Sequence, residues 1–115
     1  MSSRLAGGTV ALLALGLLLL VVPPAQAKGC KVGNDRSYGT TYVLKITVTG
    51  VSCRSGKALI RAYHACRPGK QGRCPRVEGY RCSERRFNVI PTSYDADVTC
   101  RKGARRVAHR YTQFT

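Results

Sequence analysis

YDADVTCRKGARRVAHRYTQF, Tyr94 to Phe114, is the stretch that decides the fold. Tyr94, Ala96, Val98 and Cys100 alternate with Asp95, Asp97 and Thr99. That period of two predicts a strand over 94–101 with one apolar face. Lys102-Gly103 reads as a tight hairpin turn, and Val107 to Phe114 as the strand that returns. An antiparallel pair at the C-terminal end therefore organises what precedes it.

Working backward, Phe87 to Pro91 reads as a connection and Arg76 to Arg85 as another strand, with Gly79 inside it. Pro68-Gly69 breaks a preceding helix. That helix is expected from about Arg54 to Ala65, with Ser52 as its N-cap. Leu59, Ala62, Tyr63 and Cys66 form its apolar stripe, and Arg54, Lys57, Arg61 and His64 its opposite side. TYVLKITVT, Thr41 to Thr49, is the strongest strand pattern, with Tyr42, Leu44, Ile46 and Val48 on one face. The order β-α-β-β-β predicts an α+β domain, one helix on a small antiparallel sheet, over residues 41–115. Residues 28–40 are polar and glycine-containing and read as an irregular arm.

Residues 1–27 read as an export signal. MSSR is a positive start, Val10 to Val22 an apolar run, and PPAQA a small-residue cleavage site ending at Ala27. The run is short of the roughly 20 apolar residues a membrane span needs, so no transmembrane segment is expected in the mature chain. Cleavage leaves 88 of the 115 residues and removes one cation, Arg4, taking the net charge from +15 to +14. Leu, Ile, Val and Phe then make up only 15 of the 88 residues, a thin core for so charged a chain. Six cysteines offset that deficit, because an even count in a short exported chain reads as a disulfide framework. Each bridge contributes about 2–4 kcal/mol. The layout favours Cys53–Cys82 and Cys66–Cys74, leaving Cys30–Cys100, with Cys66–Cys100 as a competing pair.

CRPGKQGRC, Cys66 to Cys74, raises the question of a metal knuckle. Zinc ligands usually come as C-x₂₋₄-C pairs, and seven residues separate these two. A stapled turn is the better reading, and neither metal nor cofactor is expected. The cations Arg54, Lys57 and Arg61 on the helix, continued by Arg67, Lys70 and Arg73 on the loop, are the candidate anion-binding residues. Nucleic acid is not expected as a partner. Only eight aromatics are present, and Tyr42, Tyr63, Tyr80 and Tyr94 fall at core positions rather than forming a stacking platform. Asp95 and Asp97 read as cross-strand partners of Arg81, Arg106 and Arg110, and Glu84 as a partner of Arg85 and Arg86. His109, with Glu78 or Glu84 and several arginines, supplies the ingredients of a small secreted ribonuclease but no matching strand motif.

TYVLKITVTGVSC, RAYHACR, GYRCSERR, IPTSYDADVTC and HRYTQFT together resemble small exported cysteine-containing proteins of high-GC actinobacteria. Gly79-Tyr80, Tyr94-Asp95-Ala96 and the cysteines carry most of that resemblance. It implies export, paired cysteines and an α+β architecture, and it brings no activity or site residues with it. The expected function is a non-enzymatic secreted or wall-associated basic domain that engages anionic envelope polymers or surfaces. The alternative is a disulfide-rigid protein-binding module, such as an inhibitor or accessory factor, and after it a ribonuclease-like enzyme or toxin.

Overall fold

The computed structural model describes Gly16 and residues 25–115. The export signal expected over residues 1–27 falls almost wholly outside them. Among the described residues the elements are β1 (Lys28–Cys30), β2 (Tyr42–Thr49), α1 (Cys53–Cys66), β3 (Arg76–Val77), β4 (Tyr80–Ile90), β5 (Ser93–Lys102) and β6 (Arg105–Phe114). All strands join one antiparallel sheet in the order β1-β2-β6-β5-β4-β3. The helix lies across one face, so the α+β architecture holds, with six strands rather than four. No helix among the described residues is long and apolar enough to cross a membrane.

The two additional strands and a longer β4 come from three local effects. Lys28–Cys30 is tied to the sheet edge opposite Ile46–Val48, so the expected irregular arm begins as a strand. The rest of the arm is held by Tyr38, which is buried, donates its hydroxyl to Val32 O at 2.6 Å and lies beneath the Arg61 guanidinium. The single strand expected over Arg76–Arg85 is a hairpin instead. Glu78 (φ 49°) and Gly79 (φ 80°) form its two-residue turn, and positive φ at both positions is what such a turn demands. Phe87–Ile90, expected as a connection, extends β4, with an irregularity at Asn88 (φ 49°).

Hairpin β5–β6 follows the expectation closely. Lys102 pairs with Arg105, placing the turn at Gly103-Ala104, one residue beyond the expected dipeptide. Tyr94, Ala96, Val98 and Cys100 are all buried, as their alternation requires. On β2 the simple alternation fails. A bulge between Val43 and Lys45 turns Val43, Ile46 and Val48 inward and leaves Leu44 52% exposed.

Ser52 caps the helix, accepting a hydrogen bond from Ser55 N at 3.1 Å. Gly56, Leu59, Ile60 and Tyr63 are its buried residues, so Ile60 belongs to the stripe and Cys66 does not. A Cβ at Gly56 would stand 2.5 Å from Val48 Cγ1, so only glycine admits this close approach of helix to sheet.

All six cysteines are bridged, as Cys30–Cys53, Cys66–Cys74 and Cys82–Cys100. The expected Cys53–Cys82 and Cys30–Cys100 pairs are therefore corrected. Cys82 and Cys100 are direct register partners on β4 and β5, so the hairpin itself brings them together. Cys30 on β1 lies opposite Ile46, next to the start of the helix, and so meets Cys53.

Candidate functional site

The loop 66–74 wraps around one of its own side chains. Arg67 is 7% exposed. Its Nε donates to Gly72 O at 2.8 Å, and one terminal nitrogen donates to Lys70 O at 2.6 Å and Tyr94 Oη at 2.7 Å. The other donates to Gln113 Oε1 at 3.2 Å and His64 Nδ1 at 3.1 Å. A guanidinium has five N–H donors, and all five are occupied by protein. Arg67 is thus withdrawn from the expected anion-binding set, because it is the post on which the loop is built. Cys66 and Cys74 are bonded to each other, so the loop is stapled as its spacing suggests.

The other candidates are scattered. Arg54 and Lys70 are exposed, and Lys57 is half-buried. Arg61 is bound to Ser37 O and Tyr38. Arg73 lies 3.5 Å from Glu84.

Beneath the helix lies a polar cluster that the sequence pattern did not assemble. The Glu84 side chain is 1% exposed. It accepts hydrogen bonds from Tyr63 Oη at 2.8 Å, from Tyr111 Oη and from Arg86 Nε at 2.6 Å. Burial, with Glu84 alongside, raises both tyrosine pKa values well above 10. Arg86 continues to the carbonyls of Gln71 and Gly72, pinning the loop from a second side. His64 and His109 meet Nε2 to Nε2 at 2.9 Å. Because Arg67 occupies His64 Nδ1 as a donor, His64 carries its proton on Nε2 and gives it to His109. His109 therefore holds its proton on Nδ1, which is buried without a partner. Burial first, and then the Arg67 charge, lowers the His64 pKa to about 3. Burial, then His64 and Arg67, lowers that of His109 well below 6.5.

Among the described residues, the opposite face of the sheet carries no helix. Its outward residues fall in rows set by the strand register. One row crosses four strands as Arg76, Arg81, Arg101 and Arg106, each the direct register partner of the next. All four are exposed, and none has an ion-pair or hydrogen-bond partner among the described residues. The next row is small and hydroxylic: Ser83, Thr99, Ala108 and Thr47. The third is Arg85, Asp97, Arg110 and Lys45. Here Asp97 binds Arg110 at 2.7 Å and Arg85 at 3.1 Å. These contacts, Arg110 first, lower the Asp97 pKa. Thr47, Thr99 and Ala108 floor a trough of about 240 Å³, with Arg106 on one side and Lys45, Asp97 and Arg110 on the other.

Of the aspartate partners expected from sequence, Arg110 pairs with Asp97, whereas Arg81 and Arg106 stand in the arginine row instead. Asp95 is held by Thr112 and Asn88. The row escaped sequence reasoning because its members come from four strands whose register no local pattern fixes. The alternation beside Val77, Tyr80, Cys100 and Val107 was its only trace.

Comparison of the chain with protein-family models, with curated proteins and with solved structures gives no match in any of the three.

Proposed function

We propose that this is a non-enzymatic, secreted or wall-associated binding domain that engages anionic envelope polymers through its cationic surface. The observation that carries this reading is the fate of the acids. Of five in the chain, Glu84 is buried against Arg86, Asp97 is bridged to two arginines, and Asp95 is hydrogen-bonded within the sheet. Little acidic charge is left to offset the surface cations, and a surface so unbalanced attracts polyanions. His109, which a ribonuclease-like reading needs at a substrate, is 4% exposed, and Glu84, one of its two candidate carboxylates, is 1% exposed, which supports the non-enzymatic reading.

The test is a titration of the disulfide-intact protein against poly(glycerol phosphate), a polyuronate, anionic vesicles and RNA over a salt series. Binding to an envelope-type polymer that persists at physiological salt is the expected result. Equal binding to all four, erased by salt, would reduce the charge to a generic property.

A second reading, a protein-binding module, draws on Leu44, Val89, Ile90 and Phe114. These are 52–66% exposed at the end of the sheet away from the arginine row. Capture of a protein partner that survives high salt would favour it.

A further inference from the structure

We infer that the row Arg76, Arg81, Arg101, Arg106 and the trough beside it form a binding site for a linear, hydroxyl-bearing polyanion lying across the strands. The inference rests on the polymer-binding reading above and gives it a place and a ligand class.

Like charges directly opposite on neighbouring strands are destabilising. The fold sets four such charges side by side with no acid in the row. Two rows along the same face, Asp97 pairs with both Arg85 and Arg110. The same sheet thus gives one set of arginines a carboxylate and leaves the other without one among the described residues. Strands lie about 4.8 Å apart, so the row spans about 14 Å, the reach of several repeats of a charged chain. Each guanidinium can take a phosphate or carboxylate group through two parallel hydrogen bonds.

The trough fixes the rest of the ligand. Its floor of Thr47, Thr99 and Ala108 is small enough to admit a chain and offers hydroxyls that donate and accept. On the far wall Lys45 and Arg110 surround Asp97, whose carboxylate is paired with Arg110 and Arg85 and keeps lone pairs that accept hydrogen bonds from hydroxyls. A chain with charges toward the arginines and hydroxyls toward Asp97 satisfies both walls. A polyol phosphate or an acidic polysaccharide has that chemistry.

A nucleic acid fits less well. The aromatics on this face, Tyr42, Phe87 and Phe114, stand beyond the Asp97 row. Phe87 is six residues along β4 from Arg81, about 20 Å away. It is already covered by Arg85 and Arg110, and Tyr42 by Arg36. No free stacking platform adjoins the arginines.

The test compares two charge-matched triple variants of the disulfide-intact protein by fluorescence anisotropy over a salt series. One is Arg81→Gln/Arg101→Gln/Arg106→Gln in the row. The other is Arg54→Gln/Lys57→Gln/Arg61→Gln on the helix. Probes are labelled poly(glycerol phosphate), poly(galacturonate) and single-stranded DNA of similar charge. The row variant is expected to lose about 30-fold or more in affinity for the hydroxyl-bearing polymers. It is also expected to lower the slope of log K against log salt by about 2–3. The helix variant is expected to change affinity less than about threefold, on the same scale of one salt-slope unit per contact. The order of the two hydroxylated polymers then identifies the anionic group. Equal losses in both variants would overturn the site, because affinity would then follow bulk charge. DNA bound as tightly as poly(glycerol phosphate) would overturn the ligand class. An unmutated protein that binds no polymer at physiological salt would instead overturn the reading on which the inference rests. Unfolding curves of both variants confirm that the fold is retained.

Discussion

The two faces of the sheet treat charge in opposite ways. On the covered face Glu84 collects two tyrosine hydroxyls and Arg86, and every donor of Arg67 finds an acceptor. On the open face four arginines stand in register, with no side-chain partner among the described residues. A buried charge must be paired, or folding fails to recover its desolvation. An exposed charge is solvated by water, so the covered face is constrained by stability and the open face is free to serve binding.

Matched carboxylate-to-amide changes are the strongest way to break that contrast. Glu84→Gln keeps the side-chain shape but leaves Arg86 beneath the helix without its counter-charge. A loss of about 3–5 kcal/mol is expected, measured by denaturant unfolding with the disulfides intact. Asp97→Asn removes the most connected carboxylate of the open face, yet a loss of no more than about 1 kcal/mol is expected, since its ion pairs are solvent-exposed. Comparable losses would mean that the two faces are not energetically distinct.

Acid should separate the faces again, with a smaller effect. His64 and His109 are neutral in the folded protein, their pKa values depressed by burial. In the unfolded chain each takes up a proton near pH 6.5. As pH falls below that value the unfolded state binds more protons than the folded state, so stability declines toward the folded His64 value of about 3. A decline of about 3 kcal/mol between pH 7 and pH 4 is expected from one such group. The depressed Asp95 and Asp97 respond later, because their contribution is present above the ordinary aspartate pKa and is lost only at lower pH. His64→Gln should flatten the upper part of the profile and leave the lower part in place. A profile unchanged by that substitution would remove the histidine pair from the account.

The same contrast explains what could be read from the residues alone. The β5–β6 hairpin and the helix were legible because their signals are local: alternation around Val98, a cap at Ser52, a break at Pro68. Leu44 was misplaced because a bulge shifts the face without altering the residue types. Cys66–Cys74 was legible from its short loop, but the other two disulfides were misassigned because pairing Cys82 with Cys100 requires the β4–β5 register, which is tertiary information. Arg67 reads from sequence as one of the anion-binding cations because composition alone does not reveal five inward hydrogen bonds. The binding row was hidden for a related reason, since its four arginines lie in short dipeptides such as RV and CR whose adjacency exists only in the sheet.

The smallest effect bears most directly on why the row exists. If its arginines are held against their mutual repulsion, replacing one should make the fold more stable, not less. Arg101 is the best choice, because it lies between Arg81 and Arg106 and its side chain has no ion-pair partner among the described residues. Arg101→Gln relieves two like-charge neighbours, and a gain of about 0.5 kcal/mol is expected at low salt. Salt screens such exposed charges, so the gain should shrink as ionic strength rises. Asp97→Asn should show the opposite sign under the same conditions, since it removes a favourable pair. A stabilising Arg101→Gln that also weakens polymer binding would show stability given up for function at one residue. A destabilising Arg101→Gln would mean that the row packs against its neighbours through its alkyl stems and exists for the fold.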